Sequence, residues 1–186
     1  MIKINRSVII TICGIVLFTY PKIINHKEVS IEKNRISATI EKENGYNYEN
    51  NRDIYDGIIE IPKINLIKGF YTIEDKRNNV NENVTVHYSS TYPNVENSNL
   101  ILMAHSGRGE KAYFNDLVKL DEDSLIKIYY KGKKYTYKIA TNYEINKTGN
   151  AVIQKNINKK SITLITCSQK DKTKQLVFIG YIIDET

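Results

Sequence analysis

The sequence predicts a mainly β domain, a barrel or sandwich of about eight short strands, chiefly antiparallel, with little helix. Three observations carry that expectation. Between residues 55 and 183, β-branched and aromatic residues gather in short runs, several alternating with polar residues, as half-buried strands require. Turn-forming Asn, Asp, Gly and Pro separate the runs. The chain holds no internal repeat, and its 186 residues suffice for one domain with a full core plus an N-terminal appendage.

The first 25 residues stand apart. Lys3 and Arg6 precede the apolar run Val8–Tyr20, which Pro21 and Lys22 close. As a helix that run measures about 20 Å, short of the roughly 30 Å hydrocarbon layer, but snorkelling of Arg6 and Lys22 extends it. Its length also fits a signal-peptide core, yet no small-x-small cleavage site follows. The expectation is an uncleaved signal-anchor, residues 1–25, with the N-terminus inside. That makes a single-pass protein of the cell membrane with its C-terminal domain extracellular. Residues 26–54 are densely charged, with Ile31, Ile36 and Ile40 at roughly helical spacing. They read as a stalk, partly helical, with a helix packed on the domain as the alternative.

The domain proper spans residues 55–186. Gly57–Pro62 predicts a strand stopped by its proline, Leu66–Ile73 a second and Val84–Tyr88 a short third. Ser89–Ser98, rich in Asn, is a loop, and Asn99–His105 is the next apolar strand. Lys111–Leu117 suits one or two helical turns. Leu125–Tyr130, the Lys131-Gly132-Lys133 turn and Lys134–Ile139 form a hairpin. Thr141–Asn156 is mixed. Ser161–Cys167 and Leu176–Ile183 complete the sheet.

Composition excludes several function classes. The net charge of +6 is modest and the lysines are scattered, so no basic groove for nucleic acid is expected; proximity to an anionic envelope fits better. The chain has 14 Tyr, 4 Phe and no Trp, but Tyr129, Tyr130, Tyr135 and Tyr137 lie at strand spacing and read as sheet packing. Asp121, Glu122 and Asp123 lack the ligand spacing of a calcium loop. No metal or cofactor is expected.

Chemistry concentrates at two strand ends. Ser161–Cys167 delivers a thiol beside the polar loop Ser168–Thr173, and Asn99–His105 delivers an imidazole beside Ser106-Gly107-Arg108-Gly109. A cysteine ending an apolar strand is most often a small buried hydrophobe. A histidine at the end of a second such strand supplies what an activated thiol needs. Cys13 falls in the apolar segment, so Cys167 is left as a single free thiol. His87 reads as structural or surface-exposed and His26 as solvated.

Gly57-Ile-Ile-Glu-Ile-Pro-Lys-Ile, the strand ending in Ala104-His105, and Thr163-Leu164-Ile165-Thr166-Cys167 together resemble a sortase, the last being that family's Thr-Leu-x-Thr-Cys signature. The likeness covers about residues 55–183. It implies an eight-stranded barrel and a surface cysteine transpeptidase of Gram-positive bacteria. Such an enzyme cleaves a Leu-Pro-x-Thr-Gly-like sorting signal and joins it to an amine of a cell-wall peptidoglycan precursor or a pilin. Cys167 is then the nucleophile and His105 the proton carrier, with Thr166 and Lys174 beside the substrate. The family's arginine at the start of the last strand has no counterpart, since no arginine follows Arg108. Counting back from Gly180, its slot holds Gln175, with Lys174 adjacent. Gln175 is the expected neutral stand-in, with Lys174 and Arg108 as other candidates. The alternative reading is a catalytically weak, sortase-like peptide-binding module.

Overall fold

In a computed structural model of the chain, the described residues are 28–41, 54–148 and 153–186. Among them, one helix (α1, residues 28–41) precedes eight strands. These are β1 (Gly57–Ile61), β2 (Leu66–Phe70), β3 (Thr85–Val86), β4 (Asn99–Met103), β5 (Leu125–Tyr130), β6 (Lys133–Asn146), β7 (Ser161–Cys167) and β8 (Lys174–Glu185). They form one sheet in the order β2-β1-β5-β6-β8-β7-β4-β3. A bridge between Phe70 and Val84 joins the two ends, so the sheet rolls into a nearly closed barrel. All strand pairs are antiparallel except β4 with β7.

Local sequence explains the turns. Lys131 and Gly132 both adopt positive φ (52° and 73°), the left-handed pair that a two-residue hairpin demands. Pro62 stops β1 and opens a 3₁₀ turn over Pro62–Ile64. The helical turns expected at Lys111–Leu117 form later, as a 3₁₀ turn over Asn115–Lys119. Phe114 and Leu117, three apart, are both fully buried, which suits the threefold pitch of that helix. β2 ends at Phe70, short of Ile73.

The barrel interior is one apolar cluster holding Ile59, Phe70, Leu100, Leu102, Ile126, Ile128, Tyr135, Tyr137, Ile162 and Leu164 among others. A smaller cluster lies on the outer face: Ile101, Ile165, Val177 and Ile179, with Met103, Tyr143 and Ile145 packed against them. β6 runs past the expected hairpin to Asn146, absorbing irregularities at Thr136/Tyr137 and Ile139/Thr141. Such bulges bend a long strand round a barrel. The mixed segment after Thr141 is therefore in part strand.

The described part of the segment read as a stalk, α1, packs on the barrel. Thr39 is fully buried and its Oγ1 accepts the Tyr55 backbone N–H at 3.0 Å. The Tyr55 hydroxyl donates to Glu32, and Lys68 pairs with the same carboxylate at 3.3 Å. Among the described residues no helix is long and apolar enough to cross a membrane. The expected anchor, residues 1–25, lies outside the described residues.

Candidate active site

β4 and β7 run parallel, with Met103 beside Ile165. Two residues on, the same register sets Ala104 beside Thr166 and His105 beside Cys167, on backbones about 4.8 Å apart. Hydrogen bonds carry the pairing past the strand ends. The Ala104 N–H reaches the Ile165 carbonyl at 3.4 Å, Thr166 Oγ1 donates to the Ala104 carbonyl at 2.8 Å, and the Ser106 hydroxyl donates to the Cys167 carbonyl. Alternation then assigns the faces. Leu100, Leu102, Ala104, Ile162 and Leu164 fill the barrel. Ile101, Met103 and Ile165 face outward, and His105 and Cys167 follow them onto that surface.

Two loops must stay together for the pair to hold. Asn115 clasps both: its Oδ1 accepts the Gly107 N–H at 2.9 Å and the Gln169 amide at 3.0 Å. Gly107 takes φ of +114°, which a side chain would resist.

The imidazole of His105 is exposed, and its Nε2 lies 3.0 Å from Asn81 Oδ1. With an amide oxygen as acceptor, Nε2 carries the hydrogen. Cys167 is a half-buried free thiol, and Lys147 Nζ stands 3.7 Å from its Sγ. Ile145, Gln175 and Cys167 form a cross-strand row through β6, β8 and β7, so the half-buried Gln175 shares the thiol's face.

The other expected site residues fall elsewhere. Thr166, expected beside the substrate, is only 3% exposed and gives its hydroxyl to Ala104, so it ties the strands together from inside. Lys174 lies on the opposite face of β8 from Gln175 and pairs with Glu144 at 3.3 Å. Arg108 is exposed between two positive-φ glycines. His87 accepts the Ser89 N–H on Nδ1 at 3.2 Å, and burial holds its imidazole below the ordinary value. Among the described residues no three metal-ligating side chains converge.

Sequence reasoning missed Lys147, Asn81 and Asn115. A signal existed for the first. Tyr143 and Ile145 alternate with Glu144 and Asn146, and extending that period puts Lys147 on the face of Ile145. Asn81 and Asn115 lie in loops, where no periodicity marks a partner.

A family model described as the sortase domain matches residues 59–182. No curated protein matches the chain. Among solved structures, the chain is similar to the sortase D5 transpeptidase of Clostridium perfringens, at 20% identity and TM-score 0.63, over 83% of this chain and 99% of that one. Sortase A from Corynebacterium diphtheriae matches at 17% identity and TM-score 0.62, over 83% and 85%. Sortase C-1 from Actinomyces oris matches at 20% identity and TM-score 0.61, over 69% and 73%.

Proposed function

The chain belongs to the sortase family and is a sortase-type cysteine transpeptidase; on that premise we propose that it cleaves a Leu-Pro-x-Thr-Gly-like sorting signal through Cys167 and transfers the new acyl end to an amine. The observation that carries this reading is the shared outer face of His105 and Cys167, neighbours through the parallel register of β4 with β7. A peptide laid in extended form across that face meets sulfur and imidazole together.

In the first half-reaction the Cys167 thiolate attacks the scissile carbonyl carbon, forming C–S while the carbonyl π pair moves to oxygen. Collapse restores the carbonyl and breaks the C–N bond, and His105 gives its proton to the departing amine. The product is a thioester on Cys167. In the second, neutral His105 takes a proton from the incoming amine, whose nitrogen attacks the thioester carbon and expels the thiolate. The imidazole thus ends each cycle as it began. The acceptor amine belongs to a peptidoglycan precursor or a pilin, and residues 1–25 anchor the enzyme to the membrane with the barrel outside.

The test uses the full-length chain with a panel of fluorogenic Leu-Pro-x-Thr-Gly-type peptides, with and without an added amine. The expected result is Cys167-dependent cleavage, an amine-dependent ligation product and a thioacyl adduct visible by mass. Cys167→Ala abolishes all three. Peptide binding without cleavage would leave only a binding module, a reading that the neutral Gln175 favours. Free acid formed regardless of amine would mean a hydrolase instead.

A further inference from the structure

We infer that Lys147 is a catalytic residue, the fixed cation that stabilises negative charge on the Cys167 sulfur and on the carbonyl oxygen of the bound peptide; this rests on Cys167 being the nucleophile. Its Nζ is 3.7 Å from Sγ, direct contact between ammonium and reacting atom. Backbone geometry holds it there. The Lys147 N–H donates to the Thr173 carbonyl at 2.8 Å, continuing the β6–β8 ladder one residue beyond Asn146 and Lys174. That continuation sets Lys147 on the face of Ile145, Gln175 and Cys167, and its long side chain crosses β8 to the thiol.

Three neighbouring donors are committed elsewhere. Lys174 pairs with Glu144 on the opposite face. The His105 imidazole holds Asn81 with its Nε2. The Ser168 N–H, the first backbone donor after the nucleophile, goes to the Lys174 carbonyl at 3.0 Å. Gln175, opposite Cys167 in register, offers neutral donors only. A thiolate needs an electropositive setting, and charge developing in a transition state is best met by a donor already in place. Lys147 fills both needs as a spectator: it keeps its proton throughout, while the bond-making proton traffic runs through His105.

The experiment compares the full-length wild type with Lys147→Met, Lys147→Arg, Lys147→Met/Gln175→Arg and Lys133→Met. The last removes an equal charge at the far end of β6. Two rates are read: Cys167-dependent peptide cleavage, and iodoacetamide alkylation at fixed pH, followed by mass on the peptide containing Cys167 so that Cys13 does not count. Lys147→Met is expected to lower kcat/KM by roughly 10- to 100-fold, mostly in kcat, and to slow alkylation. Lys147→Arg and the double variant regain most of the loss, and Lys133→Met stays at wild-type rates. Lys147→Met within twofold of wild type in both rates overturns the assignment, as does a loss that neither arginine restores. Should wild type cleave no peptide, the proposed function fails, and the alkylation rates alone still decide for or against Lys147.

Discussion

Asn81 grips the His105 ring from a loop 24 residues earlier in the chain. An exposed imidazole has two rotatable bonds and no packing to hold it, so its orientation depends on that one contact. Asn81→Ala is expected to lower kcat about 10-fold with little change in KM, because misalignment penalises proton transfer more than binding. Steady-state kinetics on the peptide substrate read the split; an equal loss in binding would point to a different role. His87 makes a separate prediction about pH. Burial holds it below its ordinary 6.5, so the unfolded chain takes up a proton at higher pH than the folded one. Its contribution to stability is full above that ordinary value and is lost as pH falls through the folded value. Urea titrations at pH 7.5 and 5.5 should show wild type losing more stability on acidification than His87→Gln. At this scale the sequence marked His105 and Cys167 because each ends an apolar strand. It misplaced Thr166, whose inward face follows from the same alternation that fills the barrel with Leu164.

At the scale of the element, α1 shows how a polar helix becomes part of a β domain. Its buried Thr39 receives the N–H of Tyr55, and a buried N–H left without an acceptor costs about 1–3 kcal/mol. Thr39→Val keeps the shape and removes the acceptor, so chemical denaturation should register a loss in that range; an unchanged midpoint would mean that α1 contributes nothing to the fold. Gly69 tests the same seam from β2. A Cβ there would sit 1.9 Å from the Tyr55 ring, so Gly69→Ala must displace the tyrosine and with it the helix contact. We expect it to cost about 3 kcal/mol, read as a fall in Tm together with faster proteolysis within 28–41. The strands were largely legible as elements because β-branched runs and the Lys131-Gly132 turn act locally. The length of β6 was not. Its last residues, Tyr143 to Asn146, are held by pairing to β8, with Tyr143 opposite Val177 and Asn146 opposite Lys174, partners too distant in sequence for any local pattern to announce.

Across the whole molecule, closure depends on the seam where Phe70 meets Val84. Phe70 is fully buried, and its ring lies 6.5 Å from that of Tyr130. Phe70→Ala should cost about 3–5 kcal/mol and loosen the barrel where the two sheet ends meet, visible as accelerated amide exchange in β2 and β3. Exchange confined to the mutated strand would show that closure is held elsewhere. Fold class was readable from strand number and turn spacing, but strand order was not, since no local pattern says that β8 inserts between β6 and β7. That insertion puts Lys147, Gln175 and Cys167 on one face, so the site's least anticipated member is a product of topology.

The parallel pairing of β4 with β7 has a temporal meaning as well. Its hydrogen bonds join residues 62 apart, and β5 and β6 must be made and folded away between them. On the proposed mechanism, a nascent or clipped chain therefore carries an imidazole without its sulfur, or a sulfur without its imidazole, and cannot complete a cycle. Latency is a by-product of the winding: the scissors have no blades in contact until nearly the last strand is laid down.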